Sequence, residues 1–99
     1  MKILLLCANG LSTGLLMKKM ENYINNNQLS IQVNATGLSD ETYADISKEY
    51  DVILMGPQVK YRLKEVRKNT NKPVAAIPAT DYALGNAEKV IELAKNIRK

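Results

Sequence analysis

The chain has 99 residues, 45% of them hydrophobic and 24% charged, which is apolar material for one ordinary core and not for two. With no histidine and a single cysteine it is closed to Ser-His-Asp and Cys-His catalysis, to imidazole metal sites, to an internal disulfide and to a thiolate zinc cluster. Lys and Arg outnumber Asp and Glu by 14 to 10, a net +4 that favours acidic or phosphorylated partners. Five scattered Tyr, without Trp or Phe, do not make the stacking surface of a nucleic-acid binder.

The longest wholly apolar run, residues 3–8, is far shorter than the roughly 20 residues that span a bilayer. It runs into Asn9-Gly10 without a small-x-small cleavage site, so neither membrane insertion nor a leader peptide is expected. A lone cysteine in such a chain fits a reducing cytoplasm. The run reads as a buried strand over 2–6, closed by Cys7-Ala8-Asn9-Gly10. From Ser12 or Thr13 to Asn26, Leu16, Met20 and Ile24 recur every four residues, with Leu15 and Tyr23 beside them. Lys18, Lys19, Glu21 and Asn22 fill the other face, giving an amphipathic helix halted by Asn25-Asn26-Asn27.

Residues 29–35 alternate, with Leu29, Ile31, Val33 and Ala35 apolar and Ser30, Gln32 and Asn34 polar. Period two with one polar face predicts a strand at a sheet edge. The stretch 37–49 holds a short helix with Ser39 as N-cap and Tyr43 and Ile46 turned inward. Residues 52–55 are unbroken apolar, a fully buried strand ended by Gly56-Pro57. Val59, Leu63 and Val66 have helical spacing as far as Asn69, and residues 73–77 form a fourth strand bounded by Pro78. A loop over 79–85 leads to a last helix lined by Val90, Ile91, Ala94 and Ile97.

Strands separated by helices require a parallel sheet with right-handed crossovers. The second strand alone has a polar face and belongs at an edge, so the order 2-1-3-4 is expected. That is a four-stranded open α/β sheet with helices on both faces, flavodoxin-like. Its switch point lies between strands one and three, and ligands bind at the carboxyl ends there. Two segments meet at that point, residues 7–14 and residues 56–58.

The first is Cys7-Ala8-Asn9-Gly10-Leu11-Ser12-Thr13-Gly14, then a helix. A strand end, a glycine-containing loop and a helix N-terminus gather unpaired backbone N–H groups and a favourable dipole around an anion. Gly10 and Gly14 let the backbone approach a phosphate closely. Ser12 and Thr13 add hydroxyl donors or cap the helix. The same field favours the thiolate of Cys7, poised to attack phosphorus. A free cysteine is also commonly a small buried hydrophobe closing a strand, and Cys7 answers to that description too.

No Gly-Lys-Ser/Thr closes the loop, so it is not a Walker A motif. The spacing Cys-x5-Thr compares instead with the Cys-x5-Arg loop of low-molecular-weight tyrosine phosphatases, with Thr13 at the arginine's place. Without a guanidinium to clamp the phosphoryl oxygens, the loop suits holding a phosphoryl group against water. Asp81 offers a phosphatase-type general acid or, more simply, a solvated or helix-capping carboxylate.

These residues carry a family resemblance over essentially the whole chain. Ile3-Leu4-Leu5-Leu6-Cys7-Ala8-Asn9-Gly10-Leu11-Ser12-Thr13 with Leu15-Leu16, Leu54-Met55-Gly56-Pro57-Gln58-Val59 with Tyr61, and Asn71-Lys72-Pro73-Val74 with Ile77 and Tyr82 resemble the IIB component of the bacterial sugar phosphotransferase system. The class is that of lactose, cellobiose and chitobiose. The resemblance implies one IIB domain over 1–99, cytoplasmic and associated with a membrane component, without cofactor or metal. It implies a phosphotransferase whose Cys7 is phosphorylated by the phosphohistidine of IIA. The phosphoryl group then passes to a disaccharide-type sugar bound by the membrane component IIC. It also implies that Ala8, Asn9, Gly10, Leu11, Ser12, Thr13 and Gly14 form the phosphate loop, with Gln58 and Tyr82 lining the site. Gly14 stands where the family often has a further hydroxyl residue, and Ala8-Asn9 where it often has Ser-Ala.

Taken without the resemblance, Gln58 also fits a residue flanking the third helix, and Tyr82 a half-buried aromatic with its hydroxyl in water. Lys60, Arg62, Lys64, Arg67 and Lys68 form a solvated basic helix face that would suit an acidic partner. Two other functions stay open on the sequence: a phosphatase-like or arsenate-reductase-like enzyme, and a non-catalytic phosphate-sensing module. Missing arginine weakens the first, and a missing second cysteine weakens the reductase further.

Overall fold

The computed structural model describes residues 1–8, 14–38 and 42–98. Among the described residues, four strands, β1 (Lys2–Cys7), β2 (Gln32–Gly37), β3 (Val52–Met55) and β4 (Val74–Ala76), alternate with five helices. These are α1 (Gly14–Asn26), α2 (Tyr43–Ile46), α3 (Leu63–Thr70), α4 (Ala79–Leu84) and α5 (Ala87–Ile97). The sheet is parallel throughout, in the order β2-β1-β3-β4, the open flavodoxin-like arrangement also seen in low-molecular-weight tyrosine phosphatases.

The central strands are apolar on both faces because both are covered. Ile3 and Leu5 of β1 and Val52 and Leu54 of β3 join Leu16, Met20, Ile24, Val90, Ile91 and Ala94 on the α1–α5 side. Leu4, Leu6, Ile53 and Met55 point the other way, onto Tyr43, Val59 and Val66. Each such fully buried aliphatic side chain contributes about 1.5–3 kcal/mol. Tyr43 is buried with its hydroxyl accepting from Asn69 Nδ2 at 2.8 Å, so its one polar atom is satisfied. Strand β2 lies at the edge, as its polar face requires.

Several boundaries depart from the pattern. The edge strand begins at Gln32 instead of Leu29 and runs on to Gly37, which the sequence places at the start of the second helix. The reason is the end of α1: Gln28 has φ 53°, and Leu29 N–H reaches Ile24 C=O at 3.0 Å while Gln28 N–H reaches Asn25 C=O at 3.3 Å. This is a Schellman closure, and it engages Leu29 in the helix cap before pairing with β1 begins. The second helix shrinks to one turn continued by a 3-10 segment, Ser47–Glu49. Tyr43 points inward as expected, but Ile46 is 36% exposed. A single turn has too narrow an inward face to bury both. Its expected N-cap, Ser39, lies outside the described residues. The helix after β3 opens as a 3-10 segment, Pro57–Arg62, before α3 proper.

The expected loop over 79–85 contains α4, whose C-terminus is closed by Gly85 at φ 64°. None of its residues is fully buried, so no apolar period marks it. Among the described residues, no helix is long and apolar enough to cross a membrane.

Candidate functional site

Cys7 closes β1 and is wholly buried, with its carbonyl accepting from Leu38 N–H at 2.8 Å. Alternation along the strand puts its side chain on the α1–α5 face with Ile3 and Leu5. On one side the register pairs Cys7 with Gly37 of β2. On the other, β1 and β3 pair from Ile3↔Val52 to Leu6↔Met55, and Gly56 N–H continues the ladder to Leu6 C=O at 2.8 Å. One step further, the neighbour of Cys7 is Gly56. Glycines therefore flank the cysteine on both sides, and neither neighbouring strand sends a side chain to its level.

Gly56 gathers the other two candidates. A Cβ placed on it would lie 2.9 Å from Gln58 Oε1, 3.5 Å from Tyr82 Cε2 and 3.6 Å from Leu6 O. Gln58, exposed in the 3-10 segment after β3, thus folds its carboxamide back over Gly56. Tyr82 arrives from α4, half-buried, with its ring against the α1–α5 core cluster. Both approach on the sheet face that Cys7 uses. Around Gly56, which the register sets beside Cys7, the structure brings together Gln58 and Tyr82, two residues far apart in sequence.

Of the expected phosphate loop, Ala8 is exposed at the end of β1, and Gly14 is exposed at the start of α1. A Cβ on Gly14 would meet nothing within 4 Å, so no packing contact demands glycine there. Asn9, Gly10, Leu11, Ser12 and Thr13 lie outside the described residues. Asp81, weighed as a general acid, accepts from Asn86 Nδ2 at 3.0 Å through Oδ1, and its carbonyl accepts Asn86 N–H at 2.9 Å. Its carboxylate joins α4 to α5.

The basic run divides. The Arg62 guanidinium pairs with Glu65 and donates to Leu38 C=O at 3.1 Å, and Arg67 donates to Val74 C=O through Nε and Nη2. Lys60, Lys64 and Lys68 stay exposed at helical spacing. Lys19 of α1 reaches across to Leu84 C=O at 3.1 Å, bracing α1 against the end of α4. Among the described residues, no three potential metal-ligating side chains of the His, Cys, Asp and Glu types gather.

Gly37 and Gly56 are the site features that periodicity does not single out. The available signal is a glycine at the carboxyl end of each strand, Gly37 closing β2 and Gly56 directly after β3, which acquires meaning only when the register sets both beside one cysteine.

A family model described as "PTS system, Lactose/Cellobiose specific IIB subunit" matches residues 2–93. The chain belongs to the lactose/cellobiose IIB family. IIB components of the phosphotransferase system are phosphotransferases of sugar transport. The chain is 32% identical to the oligo-beta-mannoside-specific EIIB component of Bacillus subtilis, over 97% of this chain and 94% of that one. The solution structure of the cellobiose-specific phosphotransferase IIB component from Borrelia burgdorferi superposes with a TM-score of 0.83 at 33% identity, covering 99% of this chain and 91% of that one. A lactose-specific EIICB component of Staphylococcus haemolyticus is 29% identical over 71% of this chain and 12% of its own length. In that relative a IIB unit is one part of a much longer IICB chain.

Proposed function

We propose that this IIB chain is a phosphoryl carrier working through Cys7. The thiolate of Cys7 attacks phosphorus of the phosphohistidine on IIA, the S–P bond forms, the N–P bond breaks, and the imidazole leaves. In the second step a hydroxyl of a sugar bound by IIC attacks phosphorus, the S–P bond breaks, and the hydroxyl proton passes to solvent or a neighbouring base. The chain has no histidine, so the donor histidine belongs to the partner.

One observation carries the reading: Cys7 ends β1 at the switch point between two glycines, and the Gln58 carboxamide and Tyr82 ring lie against one of them, Gly56. That is where an open α/β sheet places chemistry. Ala8, Asn9, Gly10, Leu11, Ser12, Thr13 and Gly14 form the phosphate loop, supplying backbone N–H donors and hydroxyls in place of a phosphatase arginine. Gln58 and Tyr82 line the same site. The IICB relative supports IIC as the partner receiving the phosphoryl group, and the domain over 1–99 works at the cytoplasmic side of that membrane component. The sugar is of the disaccharide type that the family description names.

Incubation with phosphoenolpyruvate, enzyme I, phosphocarrier protein and IIA, followed by intact mass, tests the reading. One stable phosphoryl adduct in wild type and none in Cys7→Ser is the expected result, because an unactivated hydroxyl is a poor nucleophile at neutral pH. Continuous phosphate release would make the protein a hydrolase, and absence of any covalent change would make it a phosphate sensor.

A further inference from the structure

Resting on that carrier reading, we infer that Gly56 is a positioning residue for the transfer: its missing side chain seats the Gln58 carboxamide beside Cys7. Gly56 has φ −60° and ψ 149°, an extended conformation open to every residue and favoured before Pro57. Backbone freedom is therefore not what the position needs. It needs space. Of the three atoms around the site of a Cβ, Tyr82 Cε2 at 3.5 Å and Leu6 O at 3.6 Å are at ordinary contact distance, and only Gln58 Oε1 at 2.9 Å is too close. The Gln58 amide oxygen occupies the volume that any larger residue at position 56 would claim.

That volume has a fixed relation to the cysteine. Gly56 follows Met55, whose partner is Leu6, so it stands beside Cys7 one strand over, at a spacing of about 4.8 Å. By alternation both residues face the α1–α5 side, and Tyr82, which touches the Cβ site, packs against that same cluster. A carboxamide whose oxygen lies in that space has an NH2 group with two donors and no charge. Such a group binds a phosphoryl oxygen on Cys7 without the charge that a phosphatase arginine brings to the attack of water.

Gly56→Ala costs nothing in backbone conformation, and its clash is with the end of a flexible side chain, so the variant folds. The test joins a spectroscopic signature to a double-mutant cycle. The Gln58 side-chain amide resonances, assigned by their loss in Gln58→Ala, are followed in Gly56→Ala, and initial rates of Cys7 phosphorylation by IIA are measured for both variants and their combination. Displacement of the amide resonances is expected, with each single variant slower by roughly three- to tenfold, the worth of one neutral hydrogen bond. The double variant should be no slower than Gln58→Ala, since Gly56 acts through Gln58. Unmoved resonances, a wild-type rate in Gly56→Ala, or effects that multiply in the double variant would each overturn the seat. Wild-type protein that takes up no phosphate overturns the carrier reading and the transfer role together. It is told apart from failure of the seat alone because the resonances are read without any phosphodonor.

Discussion

Cys7 shows how one residue satisfies two descriptions at once. It is fully buried, as a small hydrophobe closing a strand would be, and it stands at the switch point beside Gly56, against which Gln58 and Tyr82 lie. The cysteine, its loop and the missing arginine are legible in the sequence because they are contiguous. That residues 7–14 and 56–58 meet follows from the expected strand order, whereas the closeness of Tyr82 to Gly56 depends on the placement of α4, which no apolar period marks. Thr13 belongs to this scale as well. Phosphatases put arginine at its place, so Thr13→Arg should shorten the life of phosphocysteine in the absence of IIA and IIC. The gain should be modest, because an arginine at position 13 brings no general base to activate the attacking water. Phosphate release followed over time checks this, and an equal lifetime in a folded variant would mean that the lack of arginine is not what protects the intermediate.

Among the elements, those with strong apolar periodicity lie close to where their pattern sets them. Residues 52–55 are β3 without adjustment, and Leu16, Met20 and Ile24 are the buried stripe of α1. Elements fail where a cap or a neighbour outranks the pattern. Leu29 and Ile31 alternate like strand residues, yet they pack at the core margin between the Schellman closure of α1 and the first pairing of β2. α4 has no buried face to announce it and is held by what lies around it: Asn86 on Asp81, Lys19 on Leu84 C=O, and Gly85 at its C-terminus. Gly85→Ala would force a side chain to φ 64° and put its Cβ 2.5 Å from Lys19 Cδ. A loss of about 1–2 kcal/mol is expected from the left-handed backbone alone, read as a lower urea midpoint at unchanged slope. Adding Lys19→Ala should relieve the clash but not the backbone cost.

At the scale of the whole molecule, the strand order is held at its amino end by Asp51, whose carboxylate accepts Lys2 N–H at 2.7 Å and so joins the approach to β3 to the start of β1. This bond, helped by the charges of Arg98 and Lys72, holds the Asp51 carboxyl below its ordinary value. A depressed folded value means that the stabilisation is complete above the unfolded value of about 4 and disappears as pH falls through the folded one. Asp51→Asn should therefore lower the neutral plateau towards the acid value and so flatten the acid side of the stability profile. Denaturant unfolding between neutral pH and pH 3 measures it, and an acid limb identical to wild type would show that Asp51 is not coupled to folding. By itself the sequence determined the alternation of strands and helices, the buried pair β1 and β3, the edge position of β2 and hence the order 2-1-3-4, because hydrophobic period and one polar face are local properties. It also placed the cysteine and its loop at a strand end. Only the tertiary structure decided that the Gln58 carboxamide and the Tyr82 ring lie against Gly56, and that Gly37 and Gly56 leave both sides of Cys7 without a side chain, because register is set by the pairing of whole strands and no single segment encodes it.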